Sequence, residues 1–327
     1  MISKIILLVL LGVALCRVVP DSEVAMEFGK FIKKYKMDYD SVQETIKRYN
    51  IFADNYRYIV AENSKNGDVK LAVNQFADIT PEEMKAYLLK YKKTTKPCTL
   101  KHIKPANVKD VVDWREKKVI ARVKNQGNCG SCWAFSAIAA IESLQAIKSG
   151  KVIEYSEQEL VDCSVGWGDN HGCKGGDMSQ AFEYVAEKGI SLESEYPYKG
   201  RDGTCKKVSS SYKIKGCVNV TADDSIELLQ ALNIEPISIA VKADNRKFMY
   251  YSSGIITSGC GSDSDELDHG ILLVAALKEG ETPYWVAKNS WGAYWGKRGF
   301  VQIKRDTTKG HGVCGIAMEN AYPIALA

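Results

Sequence analysis

The feature that most constrains this chain is a change in the spacing of its apolar residues. Phe135, Ile138 and Ile141 recur at helical spacing, and Gly150 follows as a stop. From about residue 236 the apolar runs become short and lie between Gly-rich turns, a pattern typical of strands. Strands are predicted at 237–241, 270–277, 284–288 and 299–304. The spacing therefore predicts an α+β body, in which a helical half precedes a β-rich half and a cleft lies between them.

Further helices are predicted on both sides of residue 132. Ser156 and Glu159 form a capping-box pattern that opens a short helix, and apolar residues from Met178 repeat the helical spacing until Gly189. Upstream, residues 22–90 are predicted to be mostly helical, and six of them recur at intervals of three or four on one helical face. They are Glu44, Arg48, Phe52, Asn55, Ile59 and Asn63. Taken alone, this pattern indicates only an amphipathic helix.

The 327-residue chain begins with a pattern typical of a secretory signal peptide. An unbroken run of 11 apolar residues spans 5–15, which is too short to cross a bilayer. Ala14 and Cys16 are small residues suited to cleavage before Arg17. A signal peptide is therefore predicted at 1–16, and no later apolar run is long enough to predict a membrane span.

Charge divides the rest of the chain unequally. Residues 17–107 hold 17 basic and 12 acidic side chains, whereas residues 108–327 hold 26 and 28. The larger part is mildly acidic, which gives no electrostatic support for binding nucleic acid. Residues 91–107 contain five Lys and two Pro, so a linker and a site of proteolytic processing are predicted there.

Ten cysteines in a secretory chain indicate disulfides. In a cytosolic protein, Cys129 and Cys132 would fit a redox pair or half of a zinc site. Zinc would require a second closely spaced pair, and Cys163 and Cys173 lie ten residues apart. Disulfides with one functional thiol are the favoured interpretation, and no metal or other cofactor is predicted.

Cys132 has the sequence surroundings of a nucleophile. It begins a predicted helix, where unpaired backbone N–H groups and the helix dipole favour the thiolate. Gln126, six residues earlier, can donate its amide beside the N–H of Cys132 and so form an oxyanion hole. Gly127 and Gly130 allow the backbone to approach a substrate carbonyl. The alternative is that Cys132 is simply half of a disulfide.

A thiolate nucleophile requires a base, and the chain has four histidines. His102 lies in the linker, whereas His171 and His311 lie near cysteines in Gly-containing loops, which favours surface turns. His269 stands at the entry of a predicted apolar strand, from which it can face Cys132 across the cleft.

Asn289 follows another predicted strand and is the candidate to hold the His269 imidazole. Its side-chain oxygen can accept the second ring N–H. Trp291, two residues later, can shield that hydrogen bond from water. The Cys, His and Asn together supply the groups required for nucleophilic acyl transfer.

These residues stand in motifs that resemble those of papain-like cysteine proteases. Cys-Gly-Ser-Cys-Trp-Ala-Phe occupies 129–135, with His269 and Asn289 far downstream. Other matches, Val-Asp-Trp-Arg from Val112 and Gly-Cys-Lys-Gly-Gly from Gly172, extend the resemblance over nearly the whole chain.

The upstream segment resembles the propeptide of the same family. The six-residue helical face matches the ERFNIN motif at every position, which is typical of the cathepsin L branch. Asn74, Phe76 and Asp78 match the GNFD motif that follows, except that Ala72 replaces its Gly.

The resemblance implies a papain-like two-domain fold preceded by a helical propeptide. A helical N-terminal domain and a β-barrel-like C-terminal domain would flank the active-site cleft. The inhibitory propeptide would span 17–107 and the mature peptidase 108–327. Within the peptidase, the helical half would cover about 118–218. The β-rich half would cover about 219–327 together with the N-terminal segment of the mature chain.

Four catalytic roles carry over onto matching positions. They are the nucleophile at Cys132, the acid and base at His269, its orienting residue at Asn289 and an oxyanion donor at Gln126. The implied activity is that of a cysteine endopeptidase, which hydrolyses peptide bonds through a thiolate–imidazolium pair and an acyl-enzyme. It would be made as a zymogen with the propeptide in its cleft, released by cleavage between about Lys93 and Lys109.

Substrate-binding positions also carry over. They are Gly130, Gly175, Gly176, Met178, Leu267, Asp268, Gly270, Trp291 and Glu319. Gly175 and Gly176 resemble the rim that pairs with an extended substrate. Met178, Leu267 and Gly270 resemble walls of the pocket for the second residue before the scissile bond. Glu319 matches the floor of that pocket, where a carboxylate would admit Arg besides a hydrophobic residue; the alternative is that it turns to solvent.

Three disulfides are implied by the resemblance. They are Cys129–Cys173, Cys163–Cys205 and Cys260–Cys314. Of the remaining cysteines, Cys16 is expected to leave with the signal peptide and Cys217 to be a free buried thiol. A bridge from Cys98 to Cys217 is the alternative.

The implied partners are peptide and protein substrates, the chain's own propeptide and cystatin-type inhibitors, and the enzyme is expected to be a monomer. The expected location is the secretory pathway, ending in a lysosome or vacuole or outside the cell. Two rival functions remain open: a catalytically inactive relative that binds peptides or proteases, and a peptide ligase that passes the acyl-enzyme to an amine.

Overall fold

A computed structural model describes residues 19–65, 67–85, 87–88, 98–102, 104–261 and 267–326. The predicted signal peptide at 1–16 and part of the predicted linker lie outside the described residues. Within these ranges, no helix combines the length and apolar character that a membrane span requires.

Two long helices upstream of the body pack together through aromatic side chains. The elements of this region are α1 Asp21–Tyr35, α2 Val42–Ser64, β1 Lys70–Leu71 and α3 Pro81–Met84. Helix α2 begins where the Ser41 hydroxyl accepts a hydrogen bond from the N–H of Glu44 at 3.1 Å. Phe28 and Phe31 each lie with ring centroids 5.2 Å from that of Phe52. The helix predicted from the upstream pattern is confirmed.

The predicted face of α2 holds the chain that follows it. Arg48 forms an ion pair with Glu83 at 2.7 Å. Asn55 donates to two backbone carbonyls of the same segment, each at 3.0 Å. Asn63 donates to the carbonyl of Leu71 at 2.8 Å and accepts from its N–H at 2.9 Å. Three of the six patterned residues thus fix the path of residues 71–83.

The three predicted helices of the body are confirmed. They are α4 Cys132–Ser149, α5 Glu157–Cys163 and α6 Met178–Lys188. The predicted capping box of α5 is half formed. Ser156 accepts from the N–H of Glu159 at 2.9 Å, but the Glu159 carboxylate accepts from the N–H of Ser191 at 2.8 Å. The N–H of Ser156 donates to the Ser191 carbonyl at 3.1 Å, so it is not available to Glu159.

The β-rich half is built on one large sheet. Its strands are β2 Val112–Asp113, β3 Ile214–Asn219, β4 Ile237–Val241, β6 Ile255–Ile256, β7 His269–Glu279, β8 Thr282–Lys288, β9 Phe300–Lys304 and β10 Asn320–Ala325. Strand β5 Tyr251–Ser253 and helices α7 Ser225–Leu232 and α8 Arg246–Met249 lie between these strands in the chain. Short 3-10 helices lie at Gly172–Lys174 and Val313–Gly315. The four predicted strands are confirmed as β4, β7, β8 and β9.

The large sheet has eight strands, in the order β3-β10-β4-β7-β8-β9-β6, with β2 paired to β7. Its two end strands, β3 and β6, are not paired with each other within the described residues. The sheet is therefore open, where a barrel-like domain was expected.

The upstream region docks on the β-rich half. Strand β1 pairs antiparallel with β5. After β1, the buried Asn74 amide donates to the carbonyl of Met249 at 2.7 Å. Ile59, Met84 and Leu88 join the same apolar core as the strands of the large sheet. Residues 19–88 are called the docking segment below.

Candidate active site

Cys132 and His269 lie where the first turn of α4 packs against the start of β7. The Ser136 hydroxyl, one turn into α4, donates to the carbonyl of Ile271 at 2.7 Å. A Cβ atom on Gly270 would lie 3.3 Å from the carbonyl oxygen of Cys132, so the two backbones are in contact. Among the described residues, Cys132 is the cysteine that no disulfide uses, and it is buried. Its thiol is therefore not half of a disulfide in this structure.

His269 is held by Asn289 and covered by Trp291. Nε2 of His269 lies 2.7 Å from Oδ1 of Asn289. That oxygen also accepts from the N–H of Ser290 at 2.7 Å, which fixes the orientation of the amide. Since Oδ1 can only accept, Nε2 carries the ring proton. The Trp291 ring stacks on the imidazole with centroids 4.5 Å apart and 28° between the planes.

Burial sets the protonation state of His269 in this closed form. Desolvation lowers the pKa of His269 to about 4, although the hydrogen bond to Asn289 acts in the opposite direction. Nδ1 is buried and makes no hydrogen bond within the described part of the chain. The imidazole is therefore neutral near pH 7, and its Nδ1 lone pair is available to accept a proton.

Gln126 is fixed by the segment that carries Asn289. Its Oε1 accepts from the Ser290 hydroxyl at 2.6 Å, and its backbone N–H donates to the Ser290 carbonyl at 2.9 Å. Its Nε2 donates to the Cys129 carbonyl at 2.9 Å and lies 3.5 Å from the Tyr87 carbonyl. The docking segment thus places a peptide carbonyl beside the amide predicted to stabilise an oxyanion.

The docking segment contacts both walls of the cleft. Phe76 packs edge-on against Trp291 with centroids 4.9 Å apart, and the Gln75 amide donates to the Trp291 carbonyl at 2.7 Å. On the α4 side, the Leu88 carbonyl oxygen lies 3.6 Å from the point where a Cβ atom on Gly130 would stand. The predicted nucleophile and base have no solvent exposure in this closed form.

The predicted rim glycines bring loops close together. The N–H of Gly130 donates to the Cys173 carbonyl at 2.9 Å, and a Cβ atom on Gly130 would lie only 2.6 Å from that oxygen. A Cβ atom on Gly176 would lie 2.6 Å from the Trp133 ring. Gly175 is buried beside it. In this structure, therefore, the backbone that approaches Gly130 closely is that of Cys173. The sequence had predicted that the absence of a side chain at Gly130 admits a substrate carbonyl.

The residues predicted to form the pocket walls make two sets of contacts, one at Gly270 and one at Gly315. The sulfur of Met178 is 3.2 Å from the point where a Cβ atom on Gly270 would stand. A Cβ atom on Gly315 would lie 2.6 Å from Cδ2 of Leu267 and 3.1 Å from the sulfur of Met318. Met178, Leu267 and Met318 belong to the same apolar cluster as Cys132.

Glu319 and Asp268 have different surroundings. Glu319 is half-buried just before β10, and its carbonyl accepts from the N–H of Ala240 at 2.9 Å. Asp268 is buried, and its carboxylate accepts from the N–H groups of Ala243 and Asp244 at 2.7 and 3.2 Å. Burial, with the charge of Asp244, raises the pKa of Asp268. Asp268 thus supports the chain next to His269.

Four disulfides are present among the described residues. Three are the implied pairs Cys129–Cys173, Cys163–Cys205 and Cys260–Cys314. The fourth joins Cys98 to Cys217, so the prediction of a free thiol at Cys217 is wrong. The reason lies in the tertiary structure, because residues 98–102 run along β3 and bring the two Cα atoms within 5.1 Å. The disulfide also occupies both sulfur atoms of the one potential metal-donor group within the described ranges, which consists of Cys98, Cys217 and Glu183.

Sequence reasoning missed Ser290, which ties Gln126 to the Asn289 segment. It also missed a buried charged cluster beneath the site. Lys124 pairs with Glu142 at 2.7 Å and with Glu157 at 2.6 Å. These three side chains line one cavity, and Lys288, directly before Asn289, lines it as well. The available signal was the presence of Glu142 and Lys288 within otherwise apolar runs.

Two family models match the chain. Residues 108–324 match the papain family cysteine protease model, and residues 28–84 match the cathepsin propeptide inhibitor domain (I29). The chain belongs to the papain family of cysteine proteases. It is a cysteine endopeptidase with a propeptide inhibitor domain in front, consistent with a zymogen that its own propeptide inhibits.

Relatives agree with this assignment. The senescence-specific cysteine protease SAG39 of Oryza sativa subsp. japonica is 38% identical, over 99% of both chains. The KDEL-tailed cysteine endopeptidase CEP2 of Arabidopsis thaliana is 37% identical, over 88% of this chain and 82% of that one. Digestive procathepsin L 3 of Tenebrio molitor larval midgut superposes with a TM-score of 0.84 at 33% identity, over 93% of this chain and 99% of that one.

Proposed function

We propose that Cys132 and His269 cleave peptide bonds as nucleophile and general base, with Asn289 holding the imidazole. The observation that carries this assignment is the 2.7 Å contact from His269 Nε2 to Asn289 Oδ1, which leaves Nδ1 to accept a proton. In this proposal the proton comes from the buried thiol of Cys132, whose carbonyl lies against Gly270, the residue after His269. Gln126 is the oxyanion donor, because its amide already lies beside a peptide carbonyl of the docking segment.

The reaction follows from these positions. His269 Nδ1 takes the thiol proton of Cys132, and the thiolate attacks the carbonyl carbon of the scissile bond. The Gln126 amide and the backbone N–H of Cys132 stabilise the oxyanion. His269 then protonates the leaving amine, a water molecule hydrolyses the thioester with His269 as base, and the thiol is restored.

The docking segment inhibits by filling the cleft that this reaction needs. Tyr87 presents its carbonyl to Gln126, and Leu88 passes Gly130. Phe76 covers Trp291, which in turn covers His269. Removal of the docking segment opens the cleft to substrate and returns His269 to solvent, where the imidazolium form is more favourable.

The proposed specificity is for a hydrophobic residue or Arg at the second position before the scissile bond. In this proposal Met178, Leu267 and Gly270 are the apolar walls, and Glu319, the half-buried residue after Met318 of the same apolar cluster, supplies the carboxylate. The Glu319→Ala enzyme should lose roughly tenfold in kcat/KM for an Arg-Arg substrate and little for Leu-Arg, since a charge-assisted hydrogen bond contributes about 1.5–3 kcal/mol. Glu279→Ala, at an exposed site on β7, is the matched control. Equal effects on both substrates would exclude the role of Glu319.

The remaining proposals concern location and partners. The apolar run at 5–15 supports entry into the secretory pathway, with a lysosome, a vacuole or the exterior as destination. Disulfides suit such compartments. Cystatin-type inhibitors are proposed to bind the opened cleft, and the enzyme is proposed to act as a monomer.

The test uses the purified precursor at mildly acidic pH with a thiol reductant. Mass spectrometry should detect its conversion to a shorter chain, and a fluorogenic Phe-Arg peptide should be hydrolysed. The Cys132→Ala precursor should do neither, while Cys132→Ala treated with the active enzyme should be shortened. A matured and folded chain without thiol-dependent activity would favour a binding protein, and transfer of the acyl group to an added amine would favour a ligase.

A further inference from the structure

The Cys98–Cys217 disulfide crosses the boundary that maturation is expected to cut. Cys98 lies within the predicted propeptide at 17–107, whereas Cys217 lies on β3 of the body. The family matches leave this region unassigned, because the propeptide match ends at residue 84 and the peptidase match begins at residue 108. The position of the cut relative to Cys98 therefore decides whether the disulfide retains the propeptide.

The backbone of residues 98–102 belongs to the body. The N–H of Leu100 donates to the carbonyl of Cys217 at 3.2 Å, and Leu100 forms a parallel bridge with Val218. The N–H of Cys98 donates to the Asn219 side chain at 2.6 Å. Since β3 is an end strand of the large sheet, residues 98–102 cover its edge. They are called the anchored arm below.

The side chains of the anchored arm pack on the same sheet. Leu100 contacts the apolar core and lies 3.4 Å from the point where a Cβ atom on Gly216 would stand. Nδ1 of His102 lies 2.9 Å from the Tyr322 hydroxyl on β10, and the two rings meet edge-on at 6.0 Å. The hydrogen bonds of the arm named here are made with β3 and β10 of the body, so they do not depend on the docking segment.

Cuts on either side of Cys98 have opposite consequences. A cut after Cys98 leaves the docking segment covalently bound to β3. A tethered ligand is present at an effective concentration of about millimolar, which favours its return to the cleft. A cut before Cys98 frees the docking segment and leaves the arm in place.

We propose, on the basis of the function proposed above, that maturation cuts before Cys98 and that the mature enzyme begins with the disulfide-anchored arm. The step is hydrolysis of one peptide bond, with water supplying the new carboxylate and amine, and the disulfide is neither formed nor broken. The mature N-terminus is then upstream of the predicted start at residue 108. The enzyme then keeps His102, which lies within the predicted propeptide at 17–107.

The first test does not depend on activity. The secreted Cys132→Ala precursor is denatured without reductant and treated with a thiol-alkylating agent, and labelled cysteines are identified by mass spectrometry. No labelled cysteine is expected, and a peptide containing Cys98 should be linked to one containing Cys217. Labelling of Cys217 would overturn the proposal whether or not the wild type is a protease.

The second test locates the cut in the wild-type enzyme. The precursor is converted at acidic pH, alkylated, and analysed by N-terminal sequencing and by intact mass before and after reduction. The expected N-terminus is at or before residue 98, and reduction should release no propeptide fragment. An N-terminus at residue 99 or later would overturn the proposal. Absence of conversion would instead count against the proposed function.

The third test measures what the arm does in the mature enzyme. The Cys98→Ser/Cys217→Ser double variant should lose roughly 5–10 °C in Tm, because the closed loop is long and the arm is no longer fixed. Its kcat/KM for Phe-Arg should stay within about twofold of wild type, since the arm contacts no catalytic residue. Leu100→Ala is the milder variant if the double variant folds poorly. An unchanged Tm in both variants would show that the arm is not held.

Discussion

The docking segment and the anchored arm both attach the N-terminal region to the body, but they do so by different kinds of contact. The docking segment uses non-covalent contacts near the cleft, such as Phe76 on Trp291 and Asn74 on Met249. The anchored arm uses a disulfide and the edge of the sheet, at Cys98 and Leu100. An inhibitor that must leave is therefore held by contacts that can all break, whereas a segment that covers a sheet edge is held covalently.

Among the variants, Phe76→Ala is expected to weaken the docking segment most, without affecting the arm. Loss of the ring from Trp291 should cost about 2–3 kcal/mol of docking free energy, or a roughly 30- to 150-fold larger open population. Hydrogen exchange of residues 74–88 in the Cys132→Ala precursor measures this opening. Leu100→Ala, in the arm, is the control and should leave that exchange unchanged. Equal acceleration by both variants would contradict the separation of the two regions.

Acidification should open the docking segment but not the arm. The pKa of His269 is about 4 in the closed form against an ordinary value of 6.5, so the open form binds more protons between these values. Docking is therefore strongest above pH 6.5 and weakens as the pH falls towards 4, by up to about twentyfold between pH 7 and pH 5.

The measurement is again hydrogen exchange of residues 74–88 in the Cys132→Ala precursor, now as a function of pH. Adding His269→Gln should remove the weakening of docking at acidic pH. This comparison also separates His269 from Asp268, whose pKa is raised and which titrates with the opposite sign. The same slope with and without His269 would exclude the imidazole as the cause.

Asn74→Ala should have a smaller effect than acidification. The change removes one of the two donors to the buried Met249 carbonyl, which still accepts from Nε1 of Trp295 at 3.0 Å. Loss of that hydrogen bond should cost about 0.5–1.5 kcal/mol, or roughly 2- to 13-fold in opening. The rate at which added active enzyme shortens the Cys132→Ala precursor reports this opening. Asn107→Ala, at an exposed position beyond the arm, is the control. A rate equal to that of the control would remove Asn74 from the docking contacts.

Lys85→Met should have the smallest effect. Lys85 lies 3.5 Å from the Asp244 carboxylate, but its side chain is 63% exposed. Exposed ion pairs contribute between about 0 and 1 kcal/mol, so the opening rate should change by less than about threefold and less still at high salt. A tenfold change in the opening rate at 0.15 M salt would mean that charge, rather than packing, dominates the docking free energy.

Local patterns gave most of the secondary structure. The predicted strand at 237–241 matches β4 residue for residue, and Gly150 ends α4 as expected. Strand β3 was not predicted, because Ile214–Asn219 contains Lys and Gly and lacks a clear alternation. Strand β1 was also missed, since two residues carry no periodic signal and its partner β5 is 180 residues away in the chain.

The sequence by itself determined the candidates for the reacting groups. Cys132, His269 and Asn289 were found from residue type and local context, because a nucleophile, a base and an orienting amide are chemical properties of single side chains. The fourth disulfide was decided by the tertiary structure. Cys98 and Cys217 are 119 residues apart, and only the path of the arm along β3 brings their Cα atoms within 5.1 Å.

The low pKa of His269 in the closed form also came from the tertiary structure. It results from burial, to which the stacked Trp291 ring contributes, and the hydrogen bond to Asn289 opposes it. Neither residue is adjacent to His269 in the chain. Residue types are written in the sequence, but desolvation and distance are properties of the packed chain.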